Sequence, residues 1–281
     1  MINDSLIILA AGLSSRMKKS KSSNALSKNL LNQANTVEKG LIGVDKNGKP
    51  LIHYLLVNAQ QAGFINIFLV IGEKTLNFKN YFSQNKYEGL NINFAIQYIK
   101  DKRVKPSGTA DAVFQALVQY PILKKSNFCV CNSDNLYSKE ALLKIRTTKS
   151  LNAFISYERE CLKFSSEKIR SFSVLKLDKE NYLLDIIEKP SQNDLEKFKD
   201  SKEISRVNMN LFKFNGVVFF DFLKECPFDP VRNEKELPTA VLNISKKIPK
   251  SVLGIPHCEH VPDLTSKEDI SLLLNNFEEN I

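Results

Sequence analysis

Long apolar runs are absent from this 281-residue sequence, and none approaches the length needed to cross a membrane, so a membrane partner is not expected. The N-terminus also lacks the basic region and cleavage site of a signal peptide. Hydrophobic residues make up 43% and charged residues 25% of the chain, a balance that excludes disordered, collagen-like and coiled-coil proteins. The length suits one large α/β domain or two small ones.

Cysteine and histidine are scarce, with five and three residues. Neither the number nor the spacing of the cysteines predicts a disulfide framework, so a reducing, cytoplasmic location is expected. Cys129 and Cys131 lie in an apolar run and are predicted to be core residues on a strand. His257, Cys258 and His260 are the one cluster with metal-like spacing, but tetrahedral zinc takes four ligands and no second cluster accompanies them. A structural zinc is therefore not expected.

Basic residues exceed acidic ones, 40 against 31, which gives a net charge of +9. They are scattered in small clusters, without a long basic helix or a patch interleaved with aromatic residues. This distribution argues against nucleic acid as a partner. The same excess of charge is compatible with a nucleotide or sugar-phosphate substrate.

One stretch, from Leu6 to Met17, organises the chain. It begins as an apolar run without polar alternation, typical of a strand buried on both faces of a parallel sheet. The run ends in a loop of small residues that contains Gly12, whose backbone adopts conformations that other residues resist, and the loop ends at Arg16. Loop N–H groups and Arg16 could converge on a phosphate chain. An ordinary strand-to-helix turn with a surface arginine is the alternative.

Strands and helices alternate as far as Thr147, which is the signature of a parallel sheet with right-handed crossovers. After residue 152 the pattern becomes richer in strands. Further strands are predicted at 65–71, 91–98, 127–131, 152–157, 170–177, 182–187 and 207–214. Helices are predicted from Pro50 to Gly63, at 76–84, from Gly108 with Ser107 as its cap, from Ser138 to about Thr147, and at 217–224, 236–246 and 266–277.

Residues 18–38 are rich in Lys, Ser and Asn and are predicted to form a mobile surface loop with at most one helical turn. We expect this loop to close over a ligand. No internal repeat or linker composition divides the chain. A single domain, 1–281, is therefore predicted, with unequal halves at about 1–150 and 151–281.

Several pieces of the chain recur together, in this order, in one family. They are the opening loop that ends at Arg16, Lys39 before the segment Asn47–Ile52, the helix start Ser107–Ala110, Asp134 after a buried strand, and Glu188–Pro190 after an apolar run. Over residues 5–270 the sequence thus resembles the sugar-1-phosphate nucleotidyltransferases, such as glucose-1-phosphate uridylyl- and thymidylyltransferases. The resemblance implies an α/β, Rossmann-like fold: a mixed, mainly parallel sheet with helices on both faces, the nucleotide-diphospho-sugar transferase fold.

The resemblance also implies an activity and its partners. A nucleoside triphosphate would join a sugar 1-phosphate with release of pyrophosphate, and Mg²⁺ would be the cofactor. The first half of the chain would bind the nucleotide and the second half the sugar phosphate. The implied catalytic residues are Arg16, Lys39 and Asp134, with Asp134 as the metal ligand. The implied nucleotide-binding residues are Leu9, Ala11, Gly12, Arg16, Gln97 and Gly108, and those for the sugar phosphate are Glu188, Lys189 and Asn208.

The sequence departs from the family pattern in ways that leave alternatives open. Other lysines, at 18, 19, 21 and 28, compete with Lys39 for its role. The second metal-binding aspartate of many relatives matches Asn215 here, so that anchor is either absent or moved to Asp221. The run Ser14–Arg16 also resembles cytidylyltransferases that act on non-sugar phosphates such as phosphocholine. A catalytically inactive, regulatory relative is a further alternative. The base, the sugar and the formation of a homo-oligomer stay open.

Overall fold

The computed structural model describes residues 3–21, 26–100, 103–188 and 190–275. Their strands form one nine-stranded sheet. The strands are β1 (Ser5–Leu9), β2 (Asn66–Gly72), β3 (Asn91–Gln97), β4 (Asn127–Asn132), β5 (Asn152–Glu158), β6 (Val174–Leu177), β7 (Leu183–Ile187), β8 (Arg206–Asn215) and β9 (Val252–His257). The sheet order β3-β2-β1-β4-β8-β5-β9 joins strands from both halves of the chain, and β6 pairs with β7 and β8.

The strand directions confirm the expected mixed sheet. β1, β2, β3 and β4 are mutually parallel, and β5 is parallel to β9. β8 runs antiparallel to β4 and β5 and so joins the two parallel parts. The hairpin of β6 and β7 attaches to β8, also antiparallel.

Helices cover both faces of the sheet, as predicted. They are α1 (Ser15–Lys19), α2 (Lys28–Thr36), α3 (Leu51–Gln61), α4 (Asn77–Gln84), α5 (Thr109–Gln119), α6 (Lys139–Thr147), α7 (Ser166–Arg170), α8 (Gln192–Lys197), α9 (Gly216–Lys224), α10 (Leu237–Lys247) and α11 (Lys267–Asn275). Alternate residues of β1 divide between the two faces, because successive strand side chains point to opposite sides. Leu6 and Ile8 pack in the core cluster that includes residues of α3 and α6, and Ile7 packs in the cluster of α5, α9 and α10.

The order of the strands indicates at which edge of the sheet a ligand would bind. β1 lies between β2 and β4, and the chain first builds outward through β2 and β3 before it returns to β4. A crevice outside the carboxyl ends of the strands is expected at such a switch in strand order. Burial of each large aliphatic side chain on either face contributes about 1.5–3 kcal/mol, so both helical layers hold this edge in place.

The segment 18–38 differs from its prediction as a loop. It contains the helix α2, in which Ala34 is buried, and Leu26 and Leu30 pack in a third core cluster with Ile270 of α11. The polar composition concealed an apolar face at positions 26, 30 and 34, which has helical spacing. Residues 22–25 of the predicted loop lie outside the described residues.

Some other boundaries also differ. β9 was not among the predicted strands; Pro256, a residue type that favours loops, lies within it and is exposed. The strand predicted at 170–177 begins at Val174, after the short helix α7. Gly108, and not Ser107, precedes α5 as its cap residue, and no side chain caps this helix.

A disulfide joins Cys161 to Cys258, so the expectation that the cysteines form none is wrong. The two positions are 97 residues apart, and the β5–β9 pairing brings them together, which sequence spacing cannot show. The inference of a reducing compartment from the cysteine pattern loses its support, and the cytoplasmic location stays a prediction. Cys129 and Cys131 are buried thiols, as expected.

Within the His257–His260 cluster, Cys258 is in the disulfide, His257 Nε2 lies 2.6 Å from Glu259 Oε2, and His260 Nδ1 accepts from Lys163 N. Among the described residues, every helix is too short or too polar to cross a membrane.

Candidate active site

A cavity of about 690 Å³ opens at the carboxyl edge of β1, β3 and β4. All the residues predicted from sequence to bind the nucleotide or act in catalysis line it. These are Leu9, Ala11, Gly12, Arg16, Lys39, Gln97, Gly108 and Asp134. The lining also includes residues of a later loop, Arg232 and Glu234, which the sequence analysis did not identify.

The loop after β1 forms one wall of the cavity. Its unusual backbone conformation is at Ser14, with φ 55°, and not at Gly12 as expected. A Cβ atom added at Gly12 would meet no heavy atom within 4 Å. Gly12 therefore leaves open space beside the backbone instead of relieving strain. Arg16 follows in the first turn of α1 and is exposed at the cavity wall.

Lys39 and Asp134 form an ion pair in the cavity wall. Lys39 Nζ lies 2.9 Å from Asp134 Oδ2, and the two side chains are 11% and 24% exposed. Asp134 follows the end of β4, and Lys39 starts a short 3-10 turn, Lys39–Leu41. The adjacent Gly40 allows this close approach, because a Cβ there would lie 2.9 Å from the carbonyl oxygen of Ser133. Of the lysines considered from the sequence for the role of Lys39, it is Lys39 itself that pairs with Asp134.

A second carboxylate, Asp263, lies beside Asp134. The two segments are joined by a bridge between Asn135 and Asp263 and by the bond from Leu264 N to the Asp134 carbonyl, 2.8 Å. Burial raises the pKa of Asp134, and the charge of Asp263 raises it further, whereas Lys39 opposes this shift. Asp263 Oδ2 in turn lies 3.0 Å from Lys168 Nζ. The sequence analysis missed Asp263, since it did not identify β9, the strand that precedes this residue.

Neither alternative for the second metal anchor lies near Asp134. Asn215 pairs with Asn127 at the beginning of β4, so it lies at the opposite edge of the sheet, about 20 Å away at 3.3 Å per residue. Its side chain caps α9 by accepting from Val218 N. Asp221 belongs to the same helix and is exposed. Asn215 is therefore not placed to share a metal ion with Asp134.

Gln97 and Gly108 form another part of the cavity wall. Gln97 is 2% exposed, and its Nε2 donates to the Gly108 carbonyl at 2.9 Å. Gly108 has φ 104°, and a Cβ at this position would collide with the Lys235 backbone. Ala110 N donates to the Lys235 carbonyl at 2.9 Å, which ties the start of α5 to the loop before α10. Glycine is thus required at 108 by both conformation and space.

Of the three residues predicted to bind the sugar phosphate, the structure describes Glu188 and Asn208. Glu188 is 53% exposed and lies 3.9 Å from Arg232, a residue of the cavity wall. Lys189 lies outside the described residues. Asn208 lies near the start of β8; because β8 is antiparallel to β4, this is the same edge of the sheet as Asp134. Its Oδ1 accepts from Asn210 N at 2.7 Å, and it is not part of the cavity lining formed by the described residues.

Comparison with known proteins identifies the family of this chain. A family model described as nucleotidyl transferase matches residues 30–246. A glucose-1-phosphate adenylyltransferase of Vibrio parahaemolyticus is 25% identical over 186 residues, 61% of this chain and 44% of that protein. The bifunctional protein GlmU of Methanococcus vannielii is 25% identical over 235 residues, 83% of this chain and 49% of its own length. The chain therefore spans less than half the length of these curated relatives.

A solved structure gives the likeness in three dimensions. It is a UDP-glucose pyrophosphorylase complexed with UDP-glucose, with a TM-score of 0.70, 17% identity and coverage of 100% of both chains. At this identity the match shows the fold. It confirms the nucleotide-diphospho-sugar transferase fold expected from the sequence.

Proposed function

Because this chain belongs to the nucleotidyl transferase family, we propose that it joins a nucleoside triphosphate to a sugar 1-phosphate, giving an NDP-sugar and pyrophosphate. The observation that carries the proposal is the Lys39–Asp134 pair, 2.9 Å apart, in a cavity wall shared with Arg16 and the open backbone at Gly12. A cation, a carboxylate and a small-residue loop together suit a polyphosphate with its metal ion.

The reaction needs positioning and positive charge more than covalent chemistry. A phosphate oxygen of the sugar 1-phosphate attacks the α-phosphorus, and the bond to the bridging oxygen of the β-phosphate breaks, so pyrophosphate leaves with the electron pair. Arg16 would hold the β- and γ-phosphates, and Lys39 would lie near the α-phosphate. Both cations would offset the charge that develops in the displacement.

Asp134 and Asp263 fit a Mg²⁺ site. They are neighbouring carboxylates, the hard oxygen ligands that Mg²⁺ prefers, and Lys39 and Lys168 each offset one of their charges. Burial, and after it the charge of Asp263, raises the pKa of Asp134, and a divalent cation would offset the repulsion between the two carboxylates. When bound, Mg²⁺ would supply charge stabilisation to the phosphate oxygens. We assign the second anchor to Asp263 in place of Asn215 or Asp221.

The sugar assignment rests on the resemblance of Glu188–Pro190 and on the names of the relatives, one of which is a glucose-1-phosphate adenylyltransferase. Glu188 would contact sugar hydroxyls, Lys189 the sugar phosphate, and Asn208 the sugar. Pyrophosphate release with each nucleoside triphosphate, in the presence of Mg²⁺ and a panel of sugar 1-phosphates or phosphocholine, tests the proposal. Release with phosphocholine alone, or with no pair, would contradict it.

A further inference from the structure

Three side chains that can bind a metal ion converge where β5 and β9 end. The parallel pairing of the two strands runs to their last turn, so Glu158 and Cys258 are neighbours. A 3-10 turn after β5 then brings Cys161 back to Cys258, to which it is bonded. One carboxylate oxygen of Glu158 and the two sulfurs all lie within 4.8 Å of one another. None of the three residues belongs to the cavity lining formed by the described residues.

A buried arginine holds the carboxylate of Glu158. Arg206 is 2% exposed, and its Nη1 lies 3.3 Å from Glu158 Oε1. Its Nε donates to Asp200 Oδ2 at 2.7 Å, which fixes the guanidinium. The other carboxylate oxygen, Oε2, lies 3.6 Å from Cys161 Sγ. Glu158 therefore presents one oxygen to the sulfurs while its other oxygen is bound, in the way that an outer partner orients a metal ligand.

The sulfurs become available as ligands when the disulfide is reduced, because the thiolate is the species that binds a metal. A dithiol reductant transfers two electrons and two protons to the disulfide, which gives two thiols and the oxidised reductant. Cys258 is exposed, so a reductant and a metal ion can both reach it from solvent. The two Cα atoms are 5.4 Å apart, so side-chain rotation can separate the sulfurs to about 3.8 Å, the spacing of two thiolates on tetrahedral zinc.

We propose that the reduced protein binds Zn²⁺ at Cys161, Cys258 and Glu158. Zinc displaces both thiol protons, so two thiolates and one carboxylate meet the ion. All three are ligand types that zinc takes, and a water molecule on the exposed side of Cys258 completes four-coordination. The positive charge of Arg206 offsets part of the excess negative charge that three anionic ligands place on a divalent ion.

This site lies outside the cavity of the proposed function, and its ligands are not the residues assigned to Mg²⁺. Zinc was not expected from the sequence, because Cys161 lies 97 residues before Cys258. The disulfide and the zinc ion are thus alternative cross-links between the same two segments, one for the oxidised and one for the reduced protein.

Metal titration of the reduced protein tests the proposal. Protein reduced with a dithiol is freed of the reductant in the absence of air and titrated with Zn²⁺. We expect one equivalent to bind, and the oxidised protein to bind zinc at least about tenfold more weakly at this site. Co²⁺ in place of Zn²⁺ should give the charge-transfer absorption of thiolate ligands, which a site made of carboxylates alone cannot produce. Neither readout requires pyrophosphate release.

Cysteine variants decide whether these two sulfurs are the ligands. Replacement of both Cys161 and Cys258 by serine should remove the Co²⁺–thiolate absorption and the bound zinc equivalent. Cys226→Ser, at a buried thiol outside the cluster, should keep both. A reduced wild type that binds no zinc, equal affinity of the oxidised form, or full binding by the double serine variant would overturn the inference.

Carboxylate variants test the third ligand. Glu158→Gln can still accept from Arg206 but offers zinc a neutral oxygen, so zinc affinity should fall at least about tenfold. Glu160→Gln, at an exposed carboxylate in the same 3-10 turn, is the matched control and should leave the affinity unchanged. Equal affinities in the two variants would overturn the assignment of Glu158. Because the double serine variant keeps Glu158 and Arg206, it tests the site even if Glu158→Gln fails to fold.

Discussion

Lys39 Nζ lies 2.9 Å from Asp134 Oδ2, although 95 residues separate them in the chain. The pair joins a short 3-10 turn to the end of β4. It places a cation and a carboxylate on one wall of a cavity large enough for a nucleotide.

Asp134→Asn should reduce turnover by at least about a hundredfold, since a neutral amide is a poor ligand for Mg²⁺.

Asp134→Asn should not destabilise the protein. The pKa of Asp134 is raised in the fold above its ordinary value of 3.8, so the folded state keeps this proton to higher pH than the unfolded chain does. Wild-type stability is therefore lost as pH rises through that window, and the variant avoids this loss. Melting temperatures from about pH 3 to pH 7 should show an advantage of the variant that grows with pH; a lower value at neutral pH would contradict the shift.

Asp263→Asn should raise the Mg²⁺ concentration for half-maximal rate by about tenfold or more. Asp269→Asn is its control, because Asp269 also pairs with Lys168, at 2.9 Å, without reaching Asp134 through a backbone bridge. Each variant removes one acidic partner of Lys168, but Asp269→Asn should leave the Mg²⁺ dependence of the rate unchanged. Equal shifts in the two titrations would assign Asp263 a structural role.

Arg16→Ala should raise KM for the nucleoside triphosphate more than tenfold, because it removes a charge-assisted contact of roughly 1.5–3 kcal/mol. Lys189→Ala should raise KM for the sugar 1-phosphate by a similar factor. Lys19→Ala, in the same short helix as Arg16 but outside the cavity lining formed by the described residues, is the control. Steady-state kinetics with each substrate varied in turn measures both effects. Unchanged sugar-phosphate constants in Lys189→Ala would favour the cytidylyltransferase alternative.

Gly12→Ala should leave the melting temperature unchanged and raise KM for the nucleotide about tenfold. The added methyl group meets no protein atom within 4 Å but occupies space beside the cavity loop. Gly216→Ala gives the opposite pattern, because its Cβ would collide with the Leu123 carbonyl, and a loss of about 1–3 kcal/mol in the free energy of unfolding is expected. An unchanged nucleotide KM in Gly12→Ala would show that the ligand stays away from this backbone.

Replacement of both Cys161 and Cys258 by serine should lower the free energy of unfolding by about 2–4 kcal/mol, since the disulfide closes a loop between residues 97 apart. Denaturant titrations with and without a reductant measure this loss. The reductant should destabilise the wild type and leave the double variant unchanged. Cys226→Ser, at a buried thiol that forms no disulfide, controls for substitution alone, and its stability should still respond to the reductant. A wild type insensitive to the reductant would contradict the assigned stabilisation.

Local sequence patterns were sufficient to predict most helices and strands, because these elements depend on the spacing of apolar residues and on individual capping residues. Ser138 caps α6 by accepting from Ala141 N, and Gly63 ends α3 with φ 89°, both as predicted. Buried strands were recognised where apolar runs were uninterrupted. The strand β9 and the helix α2 were missed because a local signal opposed each of them: Pro256 within β9 and the polar residues of α2.

The sequence by itself determined the fold class, the organising loop and the candidates Arg16, Lys39 and Asp134, because residue type and order along the chain carry that information. Tertiary structure alone decided which distant groups meet. The parallel pairing of β5 with β9 brought Cys258 to Cys161, and the segment that follows brought Asp263 to Asp134. Antiparallel pairing of β8 with β4 sent Asn215 to the far edge of the sheet. Strand direction and neighbour are properties of the whole sheet, and no local spacing encodes them.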